Sequence, residues 1–340
     1  MGRHASIPRM SKRRIPANLI PLLKLMSNGS FHSGEDMAAR FSVSRATIFN
    51  LLNEAEKYGM RIHAVRGRGY RLATPVSWLD ADAFLSGIKR HELDYGLICQ
   101  ECAESTNTWL LREALSGALH RTVAYADFQY GGRGRRGRSW ESTLGGGLTF
   151  SVLWRFDRGI SQLSGLSIVV GLALARAMSK LGRIPVQLKW PNDLLSGYRK
   201  LAGILVEVQG EMSGPSFAII GIGLNERLSD QQRQEIDQAV VDLAELGMEM
   251  TRAELMLAIL KELSQLMTLF EQNGLAPLME EWSGWHAHEG KEVIVRMPDG
   301  TTHAGIASGL DENGNLLLRS ASGEQRKFAA GEVSMRGMSR

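Results

Sequence analysis

A run of alternating glycine and arginine residues is the segment whose side chains most clearly suggest chemistry. Its sequence is Gly131-Gly132-Arg133-Gly134-Arg135-Arg136-Gly137-Arg138-Ser139-Trp140. Glycines let the backbone curl so that successive N–H groups face one anion, and arginines add charge and paired donors for phosphate or carboxylate. The run lacks the Gly-Lys-Ser/Thr ending of a P-loop and opens no βαβ crossover of the dinucleotide-binding type. Because strand-like segments flank it, we expect an ordered active-site loop; an Arg-Gly nucleic-acid patch is the alternative.

Two further segments carry polar groups beside predicted strands. They are Lys189-Trp190-Pro191-Asn192-Asp193 and Arg199-Lys200-Leu201-Ala202-Gly203-Ile204-Leu205-Val206-Glu207. Pro191 would end the preceding strand, which leaves Asn192 and Asp193 where a hydrogen-bonding amide and a metal-binding carboxylate belong. Lys200 opens the next apolar strand, from which its ammonium group can reach into a nucleotide site. Each of these residues alone is also typical of a solvated turn, but together they favour a nucleotide site.

Composition divides the chain into three predicted domains with an α+β fold overall. The boundaries fall at residues 15–74, 78–285 and 288–337. The first ends near a proline after a basic stretch, and the second mixes helical and strand patterns. In the third, Asp299-Gly300 and Asn313-Gly314 are hairpin signals between short strands, which indicates a small β-barrel.

The first domain has the pattern of a winged helix-turn-helix. Helices are predicted from Leu19 to Met26 and from Gly34 to Phe41, and Ser44 is the expected N-cap of a third helix. That third helix has apolar residues at i, i+3, i+4 and i+7, which predicts a buried stripe. A hairpin from Arg61 to Leu72 follows and forms the wing.

The charge distribution favours DNA as the partner of this first domain. Residues 1–73 contain 13 Lys/Arg and 4 Asp/Glu, a net of +9, whereas the remainder has 27 and 32, a net of −5. Such polarisation suggests that only the N-terminal domain meets a polyanion. The candidate DNA-binding residues are Ser44, Arg45, Thr47, Asn50, Arg66 and Arg68. A helical oligomerisation or docking module with a solvated basic face is the alternative.

Several other features point to a reduced, cytoplasmic protein that does not enter a membrane. No apolar run reaches the roughly 18 residues of a membrane span, and no signal-peptide pattern follows the basic N-terminus. Cys99 and Cys102 form one Cys-x-x-Cys on a predicted strand, where residues three apart face opposite sides. We therefore expect two reduced thiols rather than a disulfide or zinc site. His286 and His288 are interpreted as a surface turn.

The motifs, taken together, resemble those of biotin protein ligases. The shared segments are 132–138, 189–193, 199–207 and Glu104-Ser105-Thr106-Asn107. With a winged helix in front and a small barrel behind, the chain resembles the bifunctional ligases that also repress the biotin operon. The resemblance runs from about Ile20 to Arg336. It implies a mixed α/β catalytic domain of the class II synthetase type and an SH3-like C-terminal barrel.

The resemblance also implies roles for individual residues. Lys200, Arg133 and Arg135 would be catalytic, with Lys200 as an electrostatic stabiliser rather than a covalent nucleophile. Asp193 would bind the metal ion. The implied biotin-binding residues are Ser105, Thr106, Asn107, Gln129, Arg133, Gly134, Arg135 and Lys200. The implied nucleotide-binding residues are Arg135, Arg138, Trp140, Asn192, Asp193, Lys200, Asn225 and Arg336.

The implied activity uses ATP and Mg²⁺ to convert biotin into biotinyl-5'-AMP and then transfers biotin to a lysine of the biotin carboxyl carrier protein of acetyl-CoA carboxylase. The adenylate would act as co-repressor, favouring a homodimer on the operator DNA of biotin genes. Alternatives are a ligase whose N-terminal domain no longer represses, a lipoate-type ligase and a transcription factor that senses a small ligand.

The sequence departs from the family pattern at three places. Glu104 stands for the family's Asp, and Tyr130 and Gly131 differ just before the arginine loop. In residues 237–241 the repressor-type relatives have an aromatic residue that stacks on adenine, whereas this chain has none. Val240 is the residue expected to pack on the base in its place.

Overall fold

Three short helices and a hairpin form the N-terminal unit. The computed structural model describes residues 15–142, 144–182, 184–330 and 334–337, with the backbone alone at 231 and 334–337. The elements of this unit are α1 (Leu19–Met26), α2 (Gly34–Phe41), α3 (Arg45–Lys57), β1 (Ile62–Val65) and β2 (Gly69–Leu72). The predicted winged helix-turn-helix is confirmed.

Local sequence determines where α3 begins and which face it buries. The Ser44 hydroxyl accepts a hydrogen bond from Thr47 N at 3.0 Å, which satisfies one of the free N–H groups of the first turn. The preceding Ser42 adopts the left-handed conformation that closes α2. The buried residues of α3 are Ile48, Leu51, Leu52 and Ala55. They pack with α1 into the core of the unit, as the apolar stripe predicts.

The wing is fixed against the helices by a close backbone approach. Tyr70 and His32 exchange backbone hydrogen bonds of 2.9 Å, so β2 is extended by one bridge towards α2. A Cβ atom on Gly69 would lie 2.0 Å from His32 O, and the φ of Gly69 is +97°. Only glycine fits this position, which explains why the hairpin tip carries it.

The central unit is built on a seven-stranded mixed sheet. Its elements are α4 (Ala81–Arg90), β3 (Gly96–Ala103), α5 (Thr106–Leu115), β4 (Thr122–Gln129), β5 (Gly147–Phe156), α6 (Leu166–Gly182), β6 (Gln187–Lys189), β7 (Asp193–Ser196), β8 (Arg199–Gly210), β9 (Ser216–Asn225), α7 (Asp230–Glu235), α8 (Arg252–Asn273) and α9 (Met279–Trp285). The strand order is β3-β4-β5-β9-β8-β7-β6, and only the β3–β4 pair is parallel.

Helices cover both faces of this sheet and bury its central strands. The strands β4 and β9 are buried at every position, so both faces of each strand are covered by the protein. The helices α6 and α8 pack against one face, and α5 packs against the other through Leu110 and Ala114. The loops at one end of the sheet are left free to form a cavity.

The C-terminal unit is a small antiparallel sheet that continues the main core. Its strands are β10 (Glu292–Arg296), β11 (Thr302–Leu310), β12 (Leu316–Arg319), β13 (Gln325–Phe328) and β14 (Ser334–Gly337), in the order β13-β12-β11-β10-β14. Strand β13 was not predicted. Trp190 Nε1 donates to Gly314 O at 3.0 Å, which ties this unit to the turn before β7.

A chain of ion pairs and hydrogen bonds runs from Lys24 at the surface of α1 into the buried interior of the central unit. Lys24 Nζ lies 2.7 Å from Asp127 Oδ2 on β4, and Tyr125 OH donates to Asp127 Oδ1 at 2.7 Å. Arg252, fully buried at the start of α8, donates from Nη1 to Tyr125 OH at 2.6 Å and from Nε to Glu226 Oε2 at 2.8 Å. Because unpaired buried charges are costly, each member stabilises the next.

Two predictions about small polar clusters have different outcomes. Cys99 is exposed on β3, and no disulfide joins it to Cys102, as predicted. The prediction that His286 and His288 form a surface turn is wrong, because both side chains are buried. His286 stacks on Trp282 with ring centroids 4.5 Å apart.

None of the helices in the described part of the chain has the length and apolar character of a membrane span.

We expect stability to fall between pH 6.5 and pH 4 because of His288. Burial lowers the pKa of His288 from 6.5 to about 4, helped by the charges of His286, Lys189 and Lys291. Within this window the unfolded chain binds about one proton that the folded protein does not, so stability is lost as pH falls. The midpoint of thermal unfolding, measured over this range, should depend less on pH in His288→Gln.

The matched control for His288→Gln is His63→Gln, because His63 is an exposed histidine on β1. The control should keep the pH dependence of the unmodified protein. Equal profiles for both variants would show that burial of His288 does not contribute.

Candidate active site

A cavity of about 760 Å³ lies at the end of the central strands. This volume is in the range of small-molecule and cofactor sites. Four segments line most of it: residues 105–107, 133–141, 189–193 and 235–238, with additional residues from β8 and β9. The three motif regions that the sequence singles out therefore meet in one place.

The first turn of α5 forms a buried polar wall of the cavity. Ser105, Thr106 and Asn107 are each at most 3% exposed. Gln129 Oε1, at the end of β4, accepts hydrogen bonds from Thr106 N at 2.6 Å and from Thr106 Oγ1 at 3.1 Å. Asn107 Nδ2 donates to Glu207 Oε2 at 2.8 Å. Such a wall of fixed neutral donors and acceptors suits an uncharged polar ligand.

Sequence reasoning missed two hydroxyls of β5 that support this wall. The Ser151 hydroxyl lies 2.7 Å from Thr106 Oγ1 and 2.6 Å from Asn107 Oδ1. Thr149 Oγ1 is buried, lines the cavity and has no hydrogen-bond partner among the described residues. Gly221 of β9 lies opposite Ser151, and a Cβ there would be 2.2 Å from Asn107 Oδ1. Gly221 is the residue from which the sequence could have indicated that a side chain packs closely against β9.

The arginine loop is ordered by its own backbone. Gly134 N donates to Arg138 O at 2.7 Å, and Trp140 N donates to Gly132 O at 2.9 Å. Arg136 adopts a left-handed conformation with φ of +59° in the tight turn between them. The loop therefore doubles back over the cavity with Arg138 exposed at the mouth. These contacts are consistent with the ordered loop that the sequence predicts.

Three cations converge on the cavity, and an acceptor from another segment holds each one. Arg133 Nη2 donates to Glu207 Oε2 at 2.9 Å, and Lys200 Nζ lies 2.8 Å from Asp193 Oδ1. Arg135 Nη1 donates to Asn192 Oδ1 at 3.1 Å.

Arg135 has a donor left over. Its Nη2 atom is buried without a hydrogen-bond partner among the described residues, and burial lowers the pKa of Arg135. A buried guanidinium with an unused donor is a site for an anion, because leaving the donor unsatisfied is costly.

Trp140 supplies an aromatic surface inside the cavity. Its indole lies on two glycines, because a Cβ on Gly203 would be 3.0 Å from the ring and one on Gly223 would be 2.4 Å from it. Lys200 Nζ lies 5.6 Å from the ring centroid. A flat apolar surface beside cations suits a base with attached phosphates.

The segment after β9 closes the opposite side. Lys200 N donates to Ala239 O at 2.9 Å, and Val241 N donates to Lys200 O at 3.0 Å. Asn225 Nδ2 donates to Lys200 O at 3.2 Å and to Val241 O at 3.1 Å. Val240 is buried and lines the cavity, where the sequence predicts it. Asn225 thus braces the segment that carries Val240, with its amide donor directed to the backbone.

Asp193 and Arg336 are the last two of the predicted nucleotide-binding residues. Asp193 is the first residue of β7 and is ion-paired with Lys200. Arg336 belongs to β14, where its backbone is paired with Ile294, and its side chain lies outside the described residues.

The predicted DNA-binding residues form a separate surface on the N-terminal unit. Ser44, Arg45, Thr47 and Asn50 are exposed on or beside α3, and Arg66 and Arg68 are exposed on the wing. Arg45 Nη1 donates to Glu35 Oε1 at 2.9 Å. The Arg68 guanidinium lies 4.4 Å from the Phe31 ring centroid. The surface carries the three exposed arginines Arg45, Arg66 and Arg68.

We expect Gly223→Ala to displace the Trp140 indole, because the new methyl group would overlap the ring. Overpacking of this kind costs about 1–3 kcal/mol. Tryptophan fluorescence should shift, and stability to denaturant should fall. Gly96→Ala is the control, since a Cβ at Gly96 meets nothing within 4 Å. An equal fluorescence shift in a Trp140→Phe background would contradict the assignment.

Family models match all three units. Residues 21–71 match a model described as an HTH domain, residues 99–225 match the Biotin/lipoate A/B protein ligase family, and residues 288–336 match the Biotin protein ligase C terminal domain.

Curated relatives and solved structures agree with these matches. The Bifunctional ligase/repressor BirA of Escherichia coli K12 is 35% identical over 96% of this chain and 99% of its own length. The Biotin--[acetyl-CoA-carboxylase] ligase of Mycobacterium tuberculosis is 34% identical over 67% of this chain and 85% of its own. The structure of the biotin protein ligase from Aquifex aeolicus in complex with biotin and ATP matches with a TM-score of 0.60 and 30% identity, covering 71% of this chain and 99% of that one. This chain belongs to the biotin protein ligase family, among the bifunctional ligase/repressors that carry a helix-turn-helix domain before the ligase domain.

Proposed function

We propose that the cavity joins biotin to AMP and then transfers biotin to a lysine of a biotin carboxyl carrier protein. The observation that carries the proposal is the convergence of Arg133, Arg135 and Lys200 on a cavity that a neutral polar wall also lines. A cationic centre beside a neutral polar wall is what a carboxylate attached to an uncharged ring system needs.

The first step brings two anions together. A carboxylate oxygen of biotin attacks the α-phosphorus of ATP, a phosphorus–oxygen bond to pyrophosphate breaks, and biotinyl-AMP and pyrophosphate result. Electrostatic repulsion opposes this approach, so fixed positive charge lowers the barrier. We assign this role to Lys200, Arg133 and Arg135. Since none of them needs to form a covalent bond, each acts by charge and hydrogen bonding.

The neutral wall would hold the ring end of biotin. Thr106, Asn107 and Gln129 offer both donors and acceptors, which matches a ureido group with N–H and C=O groups. Ser105 lies beside them in the same wall. Trp140 and Val240 would contact the adenine base, while Asn192 and Arg138 would face the phosphates.

We propose Asp193 as the protein ligand of Mg²⁺. Among the described residues no group of three His, Cys, Asp or Glu side chains is gathered to hold a metal ion. This arrangement fits Mg²⁺, which usually takes one or two carboxylates and completes its shell with water and substrate phosphates. When bound, the ion would offset phosphate charge. Lys200 would exchange its contact with Asp193 for a phosphate oxygen.

In the second step the amine of the carrier lysine attacks the acyl carbon of the adenylate. The bond to AMP breaks, AMP leaves and the amine loses a proton. The arginine loop would cover the mixed anhydride and keep water from it until the carrier arrives. We place both steps in the cytoplasm, where ATP and the carrier protein meet.

We also propose that the N-terminal unit represses biotin genes with biotinyl-AMP as co-repressor. The adenylate would favour a homodimer that places two copies of α3 on a two-fold operator. Two observations support a link between the sites. The ion-pair chain from Lys24 reaches Glu226, and Glu226 begins the segment that closes the cavity.

The ligase proposal is tested with biotin, ATP, Mg²⁺ and a biotin carboxyl carrier domain. We expect the carrier to gain one biotinyl group by mass spectrometry, and no gain would refute the proposal. Replacing biotin with lipoate or octanoate should give no modification. Lys200→Ala should lower the rate of pyrophosphate release about 10²–10³-fold, as loss of one transition-state donor does elsewhere. The matched control is Lys261→Ala, at an exposed lysine of α8.

The repressor proposal is tested by a gel shift with DNA from a biotin gene promoter. Biotin plus ATP should tighten binding, because the adenylate favours the dimer. An affinity that does not change with biotin and ATP would instead indicate a ligase whose N-terminal domain no longer represses.

A further inference from the structure

The outer face of α3 carries a large aromatic side chain that the core does not use. Phe49 is 52% exposed, whereas the apolar stripe of the helix points inward. Leaving this much apolar surface in water is unfavourable, and contact with another apolar group would recover that free energy. Phe49 lies on the same exposed surface as the predicted DNA-binding residues of the helix.

The polar residues at the start of α3 already have partners within the protein. Ser44 Oγ accepts from Thr47 N at 3.0 Å and lies 2.9 Å from Thr47 Oγ1, so both hydroxyls take part in capping the helix. Arg45 is ion-paired with Glu35 at 2.9 Å. These three side chains are better placed to position the helix than to distinguish one base from another.

Two amides beside Phe49 have no such partner. The side chains of Asn50 and Asn53 are exposed and hydrogen-bond to nothing else in the described ranges. Asn53 is four residues from Phe49 and three from Asn50, so it neighbours both on the helix surface. This face therefore offers one aromatic ring and two free amides.

This combination matches the major-groove edge of A·T base pairs. Asparagine can pair with adenine through N6 and N7, and an apolar side chain can contact the 5-methyl group that thymine alone presents. The net charge of +9 over residues 1–73 supplies the attraction to the phosphates. Guanine would instead call for an arginine or lysine, and positions 49, 50 and 53 carry neither.

We propose that α3 reads A·T base pairs, with Phe49 packed on a thymine methyl group and Asn50 or Asn53 hydrogen-bonded to adenine. The proposal rests on the DNA binding proposed above and adds which bases are read and by which side chains. Phe49 is thus a specificity-determining residue of the DNA-binding surface.

The test begins with selection of binding sites from random DNA by the full chain loaded with biotin, ATP and Mg²⁺. The selected sites should contain fixed A·T pairs in each half-site. Each thymine is then replaced by uracil, which removes the 5-methyl group and leaves the base pair unchanged. In each half-site, uracil at one particular thymine should weaken binding by the unmodified protein about four-fold, which is the effect expected from losing one buried methyl group.

Substitutions connect that methyl group to Phe49. Phe49→Ala should bind thymine and uracil sites equally, and Phe49→Leu should restore part of the difference. The matched control is Leu119→Ala, because Leu119 is an exposed apolar residue (80%) of the catalytic unit. The control should keep the thymine preference. Thermal unfolding of each variant identifies any that does not fold, and the uracil experiment on the unmodified protein needs no variant.

The outcomes separate this proposal from the proposed repressor function. Selected sites whose affinity is indifferent to uracil at every thymine would overturn the role of Phe49 while leaving DNA binding intact. A thymine preference that survives in Phe49→Ala would also overturn it. Failure to select any DNA sequence would overturn the repressor function and the base assignment together.

Discussion

Positive charges that are gathered in one cavity repel each other, and the rest of the active site depends on how that repulsion is contained. Arg133 is held by Glu207, and Lys200 is held by Asp193, at 2.9 and 2.8 Å. Lys200 and Glu207 lie on the same strand, β8, so the register of that strand sets the separation of the two pairs. The cations are therefore held by contacts within the protein, which would lower the cost of assembling them for the proposed reaction.

Local signals in the sequence predicted much of the fold. The start of α3 follows from a capping serine and an apolar stripe, both within a few residues, and the structure has both. Strand β13 was missed because its residues Gln325–Phe328 are exposed at three of four positions, which leaves no alternation to detect. His286 and His288 were misjudged because α9 and β6 bury them, and such contacts are not visible in a local pattern.

The same distinction separates the site residues that were predicted from those that were missed. The arginine loop and Lys200 belong to dense local motifs, and the structure brings them to one cavity. Ser151 carries no motif; it reaches the cavity wall only because β5 pairs with β9 in a particular register. Residues 237–241 lack an aromatic residue, as the sequence shows, but the indole of Trp140 lies across the cavity on Gly203 and Gly223. The indole fits there because Gly203 on β8 and Gly223 on β9 have no side chains.

The ion-pair chain from Lys24 to Glu226 has a consequence for regulation. It connects the unit that would meet DNA to the segment that closes the cavity, the proposed nucleotide site. Coupling between two binding events is reciprocal. If a bound adenylate strengthens the docking of α1, then docked α1 must strengthen adenylate binding by the same free energy. A change in the N-terminal unit that loosens this contact would then appear as faster loss of the adenylate. The strength of repression and the lifetime of the bound adenylate would then both report the coupling between the N-terminal unit and the cavity.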